Sequence, residues 1–295
     1  MKRLLKLFVA FAGLLTVLFV VGYYYAVHQV EGSFFENDGV KIHYTDEGVG
    51  IPVVLLHGFA ANSDLNWRRP GICQRLLGEG FRVITMDLRG HGKSDKPHDV
   101  SKYGEKMAQD VAKLLEYTGI EKAHLVGYSL GGFIALKCAV LYPDRWITLT
   151  AMASGWDDPQ NSNSFGALEK ALNDYESGKP VGPLINYFDE TGEMKTGFLH
   201  TQWFKILTTY FNDREAIMAI IRSARRLGIS KEELASIQIP VCGIAGDEDP
   251  ILNKAKALAG APNNKVIFIN GANHITTMTS RKAKDALVNF LKENS

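Results

Sequence analysis

Ala123-His124-Leu125-Val126-Gly127-Tyr128-Ser129-Leu130-Gly131-Gly132-Phe133-Ile134-Ala135-Leu136 is the stretch on which the reading of this chain turns. Ala123–Val126 is a short apolar run ending at a glycine, the pattern of a buried strand. From Gly132 to Leu141 apolar residues recur at helical spacing, until Tyr142-Pro143 stops them. Between the two lies Gly127-Tyr128-Ser129-Leu130-Gly131, a G-x-S-x-G motif. A strand, a sharp turn and a helix around this motif present the serine hydroxyl on a strained elbow; a chance match in a surface loop lacks that context. A Cβ at position 127 or 131 is expected to collide with the neighbouring strand or helix. The new helix aims its first free N–H groups at the serine, where they favour developing negative charge.

A nucleophilic serine needs a base, and the base needs a carboxylate that holds its tautomer and stabilises the imidazolium. Of the eight histidines, His274 alone stands in a loop directly after a late apolar run, Val266–Ile269, where open α/β sheets build their sites. Val241–Ala245 reads as a second buried strand, and the acidic turn Gly246-Asp247-Glu248-Asp249-Pro250 follows it. His57 and His91 read as loop-packing residues and His124 as the opening of a strand, while His28, His43, His98 and His200 show no partner pattern. No two histidines or cysteines stand at metal-ligand spacing, so neither a metal nor another cofactor is expected.

The order serine, acid, histidine is the one described for α/β-hydrolases, and the chain resembles that family over roughly residues 34 to 292. His57-Gly58-Phe59 after Val53–Leu56 looks like the family's His-Gly loop, which implies Phe59 N–H and Leu130 N–H as the two oxyanion donors. Asp87-Leu88-Arg89-Gly90-His91-Gly92-Lys93-Ser94 is similar to its structural D-x-R-G-x-G-x-S loop. Gly246-Asp247-Glu248-Asp249 resembles the G-x-x-D turn and places the triad acid on Asp249, with Asp247 as the alternative. Some relatives carry the acid after the sixth strand, where Asp157 and Asp158 stand, but Trp156-Asp157-Asp158-Pro159 reads better as the lead into a helix. Gly271-Ala272-Asn273-His274 resembles the terminal G-x-G-H segment, Asn replacing the second Gly; Asn also tolerates left-handed backbone angles.

The wider pattern is an opening hairpin around Asp38-Gly39, then short apolar runs separated by helical stretches. That alternation predicts an α/β fold: a mainly parallel α/β-hydrolase sheet flanked by helices. It breaks between about 155 and 235, where Phe165–Ser177, Pro183–Phe188, Thr201–Phe211 and Asp213–Leu227 read as a helical cap insertion. Trp156, Tyr187 and Trp203 are its candidate substrate-binding residues. No arginine or lysine stands out as a carboxylate anchor.

Lys2, Arg3 and Lys6 precede Leu7–Val27, which carries no charge. At about 1.5 Å per residue that stretch spans a hydrocarbon core of roughly 30 Å. Tyr23, Tyr24 and Tyr25 cluster at its far end, as an interfacial aromatic belt does. A cleaved signal peptide needs small residues where the chain has Tyr-Tyr-Ala-Val-His. Residues 1–30 are therefore expected to be an uncleaved transmembrane helix and signal-anchor, and residues 31–295 the hydrolase domain. The cations before the segment point that domain out of the cytoplasm, to the periplasm if the source is bacterial. Three scattered cysteines, no N-x-[ST] sequon and no lipidation motif fit that face.

At 295 residues, 46% hydrophobic and 22% charged with net charge +1, the composition is that of one globular enzyme behind an anchor. It provides no basic surface for nucleic acid; Arg222, Arg225 and Arg226 read as a solvated helix face. The expected function is a membrane-anchored serine esterase, lipase-like in favouring apolar acyl groups. Its partners would be a small-molecule ester and, through the N-terminal helix, the lipid bilayer. The same resemblance also accommodates hydrolysis of C–C bonds, amides or N-terminal prolyl peptides. Dehalogenases and epoxide hydrolases of the family use an aspartate nucleophile, against which Ser129 argues. A membrane-tethered binding protein of the same fold would not label at Ser129 with a covalent serine probe.

Overall fold

The computed structural model describes residues 29–159, 173, 177 and 212–295. The chain divides after Glu31, and every element named below lies in the unit Gly32–Ser295. Asp38 and Gly39 take φ angles of 55° and 71°, the two left-handed residues that a type I′ turn requires. They join β1 (Ser33–Asn37) to β2 (Val40–Glu47) as the antiparallel hairpin that Asp38-Gly39 predicts. Next come β3 (Pro52–Leu56), α1 (Ile72–Gly78), β4 (Arg82–Met86), α2 (Glu105–Tyr117), β5 (Ala123–Tyr128), α3 (Leu130–Leu141) and β6 (Trp146–Met152). After the insertion follow α4 (Arg214–Ser223), α5 (Lys231–Ser236), β7 (Val241–Gly246), α6 (Leu252–Ala257), β8 (Asn264–Ile269), α7 (His274–Thr279) and α8 (Arg281–Glu293).

The strands form one eight-stranded sheet in the order β1-β2-β4-β3-β5-β6-β7-β8. β1 and β2 are antiparallel to their neighbours, and β3 to β8 run parallel. The period of two in a strand sends alternate side chains to opposite faces, and β3 shows the result. Val53 and Leu55 pack with Trp67, Leu76 and Leu287, whereas Val54 and Leu56 pack with Met107, Val111 and Ile134. Both faces are thus covered, and the interior strands β5 and β7 are buried along their whole length.

The helices follow the same logic. In α8, Ser280 caps the N-terminus by accepting the Ala283 N–H, and Leu287, Val288, Phe290 and Leu291 form the buried stripe. α3 has no polar face: Ile134, Ala135, Leu136, Cys138 and Ala139 are all buried as it packs on β5, β6 and α2. Each such Leu or Ile contributes about 1.5–3 kcal/mol through burial. The helix carrying the serine is therefore held by the core on its inner and outer sides.

Of the expected cap, Arg214–Ser223 is the α4 helix and residues 224–227 a 3-10 turn, with Arg222, Arg225 and Arg226 exposed. Apart from residues 173 and 177, the helices expected at 165–177, 183–188 and 201–211, and the residues Tyr187 and Trp203, lie outside the described residues, as does the expected anchor at 7–27. Among the described residues no helix is long and apolar enough to cross a membrane.

Candidate active site

Parallel strands deliver their C-terminal ends to one edge of the sheet, and the loops leaving that edge carry the chemistry. β5 ends at Tyr128, and Ser129 follows with φ 51° and ψ −116°, a strained conformation for a residue with a Cβ. The tight quarters explain the flanking glycines. A Cβ on Gly127 would stand 2.1 Å from the Gly131 carbonyl oxygen, and one on Gly131 would stand 2.2 Å from that of Leu56. Ser154, at the end of β6, donates its hydroxyl to the Ser129 carbonyl at 2.8 Å and so fixes the elbow from behind.

His274 opens α7 after β8. Its Nε2 lies 3.1 Å from Ser129 Oγ, and its Nδ1 lies 3.1 Å from each oxygen of the Asp249 carboxylate. The tautomer that satisfies both contacts carries the proton on Nδ1, leaving Nε2 to accept from the serine hydroxyl. Ser129 is 7% exposed and Asp249 3%, while the His274 side chain between them is only partly buried. Asp249 also accepts the Ile251 N–H at 3.1 Å, which orients the carboxylate within its turn.

Ser129, Asp249 and His274, far apart in sequence, are thus brought together. The alternative acid, Asp247, faces elsewhere. It accepts the Gly271 N–H at 2.8 Å and the Asn270 side-chain amide at 3.1 Å, bracing the loop that leads to His274. Asp157 is paired with Lys254 at 3.4 Å.

One expectation about the histidine loop is corrected. Asn273 is not left-handed: at φ −103° and ψ −173° it is extended, and it caps α7 by accepting the N–H groups of Ile275 and Thr276. The left-handed residue is Gly271, φ 68°. Asparagine serves as a helix N-cap here, a role glycine fills less well.

The His57-Gly58-Phe59 loop reaches the serine because Leu56 pairs with Gly127 in register. A Cβ on Gly58 would meet the Tyr128 ring at 2.9 Å and Ser129 Cβ at 3.3 Å, so the loop passes against Ser129. Among the described residues the N–H groups of Phe59 and Leu130 meet no acceptor. Trp156 is half-buried; its ring packs on the core and its Nε1 donates to the Ile229 carbonyl at 2.9 Å.

Residues that sequence reasoning treated as bland also contribute. His57 Nε2 accepts the Leu88 N–H and its Nδ1–H donates to the Gly58 carbonyl, while His91 Nε2 accepts the Ala60 N–H. Burial pushes the pKa of both down, that of His91 to about 3, so both rings are neutral and their acceptor nitrogens stay available. His43 and His98, which show no partner pattern in sequence, do have partners: His43 contacts Asp87, and His98 lies between Asp213 and Glu215. Asp87 further accepts the N–H groups of Ser63 and Lys93, and Arg89 grips Asp110 through two 2.6 Å contacts. The D-x-R-G-x-G-x-S segment is thus the buttress beneath the site. Among the described residues no cluster of His, Cys, Asp or Glu could hold a metal ion.

The family model described as "alpha/beta hydrolase fold" matches residues 51–181. The dihydrolipoyllysine-residue acetyltransferase component of the acetoin cleaving system from Cupriavidus necator is 29% identical over 87% of this chain and 67% of its own length. The bifunctional epoxide hydrolase 2 of Sus scrofa is 34% identical over 55% of this chain, which spans only 27% of that protein. Among solved structures, an esterase from Exiguobacterium antarcticum superposes with a TM-score of 0.66 at 25% identity, covering 89% of this chain and all of its own. With the parallel sheet, the elbow and these similarities together, the chain has the alpha/beta hydrolase fold.

Proposed function

We propose that this protein is a serine hydrolase that cleaves carboxylic esters through an acyl-enzyme. The observation that carries the reading is the unbroken contact from Ser129 Oγ through His274 to Asp249, 3.1 Å at each step. Ser129 Oγ attacks the ester carbonyl carbon while His274 Nε2 takes its proton, and Asp249 stabilises the imidazolium. Phe59 N–H and Leu130 N–H hold the oxyanion; one such donor is typically worth ~10²–10³ in rate. The intermediate collapses by breaking the acyl C–O bond, and His274 protonates the departing alcohol. Water, giving its proton to His274, then attacks the acyl carbon; the bond to Ser129 breaks, His274 returns the proton to Oγ and the acid leaves. An alcohol leaving group needs no machinery beyond this set, and the likeness to an esterase supports the choice of ester.

Trp156, Tyr187 and Trp203 are assigned to an apolar acyl pocket. Leu7–Val27 is assigned to a single-pass anchor that keeps residues 1–6 in the cytoplasm and the catalytic unit outside it, near lipid-derived or other apolar esters.

The test is turnover of p-nitrophenyl esters from acetate to palmitate by the full-length chain beside Ser129→Ala. Activity abolished by the substitution establishes the serine esterase, and the chain-length optimum sizes the pocket. Labelling by a fluorophosphonate without turnover of any ester moves the substrate to amides or C–C bonds. Absence of both turnover and labelling overturns the hydrolase. Release of the chain from membranes by alkaline carbonate overturns the anchor.

A further inference from the structure

The oxyanion loop is held by four hydrogen bonds, and the fourth comes from an unexpected place. Gly58 N–H donates to Asn66 Oδ1 at 2.8 Å, and the Gly58 carbonyl accepts from His57 Nδ1 at 2.7 Å. Gly58 C=O and Phe59 N–H belong to one peptide unit and point in opposite directions. Holding the carbonyl with His57 therefore aims the Phe59 N–H. On the far side, Ala60 N–H donates to His91 Nε2 at 3.1 Å, and the Ala60 carbonyl accepts from Asn212 Nδ2 at 3.2 Å. His57 and Asn66 come from the loop's own stretch of chain, and His91 from 31 positions on, after β4. Asn212 comes from beyond the insertion, 152 positions away.

Ala60 needs that grip because its φ is 53°, a left-handed conformation that residues with a Cβ seldom adopt. Such a conformation persists only where the surroundings over-determine it. Here the peptide units on the two sides of Ala60 are fixed separately, one by His91 and the other by Asn212. Asn212 is in turn fixed by the residue that follows it. Asp213 is the N-cap of α4, accepting the Ala216 N–H at 3.0 Å, and His98 engages Asp213 and Glu215.

We propose that Asn212 is a positioning residue for the oxyanion hole: by holding the Ala60 carbonyl it keeps Ala60 left-handed and so keeps the Phe59 N–H aimed at the reacting oxygen. The role rests on the ester-hydrolase reading of the same site. It makes the stretch that leads into α4 part of the catalytic frame.

The role predicts a loss confined to the transition state. The test compares full-length wild type with Asn212→Asp, which keeps the shape but presents an oxygen to Ala60, and Asn212→Ala. The readouts are kcat and KM for p-nitrophenyl butyrate, the inhibition constant of an aliphatic trifluoromethyl ketone, whose hemiketal carries an oxyanion, and Tm. Both variants are expected to lose about tenfold in kcat, a fraction of the ~10²–10³ that removing a donor outright costs. KM should stay within about twofold, and the ketone should weaken by the same factor as kcat/KM. A fall in Tm with kcat and ketone affinity unchanged makes Asn212 merely structural and overturns the role, as does a change in KM alone. If Asn212→Ala does not fold, the shape-preserving Asn212→Asp decides. A wild type that neither hydrolyses the ester nor binds the ketone overturns the reading of the site and this role with it; an active wild type with unaffected variants overturns the role alone.

Discussion

Tyr128, the residue before Ser129, donates its hydroxyl to the backbone carbonyl of His274 at 2.9 Å and sets its ring 5.3 Å from the imidazole. The two are 146 positions apart, yet one residue of the elbow thereby braces the histidine that contacts the next. The brace has a clear purpose. The His274 side chain is 26% exposed, so only part of its surface is packed, and the Tyr128 ring lies beside it together with its partners Asp249 and Ser129. Burial, aided by the negative charge of Asp249, raises the phenol pKa, so the hydroxyl remains a donor throughout the working pH range.

Tyr128→Phe keeps the ring and removes only the hydrogen bond. A net loss of about 1 kcal/mol in unfolding free energy is expected, with a several-fold fall in kcat and little change in KM. Denaturant unfolding and steady-state kinetics on the same preparation check both halves.

The two acidic residues of the turn after β7 should separate cleanly. Asp249→Asn removes the partner of His274 Nδ1 and invites the wrong tautomer, so kcat should fall on the order of 10³–10⁴. Asp247→Asn touches only Gly271 and Asn270, and less than about tenfold is expected, as for a single exposed hydrogen bond of ~1 kcal/mol. An equal fall for both would transfer the acid role out of Asp249 alone.

Gly131→Ala should be among the most damaging single changes in the chain. Its Cβ would stand 2.2 Å from the Leu56 oxygen and 2.8 Å from that of His57. Both are backbone atoms of the central sheet edge and cannot swing aside, so a loss above about 4 kcal/mol or failure to fold is expected. Gly78→Ala is the control. It ends α1 with nothing within 4 Å of a new Cβ, and helix propensity predicts a gain of up to ~1 kcal/mol. Chemical denaturation of the pair measures the contrast.

Acid stability follows from three histidines that are neutral in the folded state. Burial lowers the pKa of His57, that of His91 to about 3 and that of His124 to about 4. In the unfolded chain each returns to about 6.5. Between those values the unfolded state binds more protons, so stability rises with pH. The contribution is whole above about pH 6.5 and is lost as pH falls through the folded-state values. Tm measured from pH 7 to pH 4 should therefore drop steadily, and His124→Gln, remote from the serine, should flatten part of the slope.

Much of the frame was legible because the sequence signals were local. Asp38-Gly39 announced a hairpin, the apolar runs marked the strands, and the glycines around Ser129 marked a crowded turn. The resemblance of four further segments placed Asp249, His274 and the Phe59 loop at strand ends, where the parallel sheet gathers them. The bracing of that frame was not legible. Nothing near Asn212 or Ser154 distinguishes them from any polar residue, because their partners lie far away in sequence. Asn273 misled for a related reason: tolerance of left-handed angles and aptitude for capping are both asparagine properties, and only the backbone path chooses between them.

Local steric and periodic rules were therefore enough to set the element order, the crowded serine turn and the chemical types available, since these depend on neighbours along the chain. The tertiary structure alone decided which carboxylate faces His274, and that His57, His91 and Asn212 share the Ala60 loop. Those choices are made by distances of about 3 Å between segments that only the folded sheet brings side by side, and a hydrogen bond has no reach beyond that.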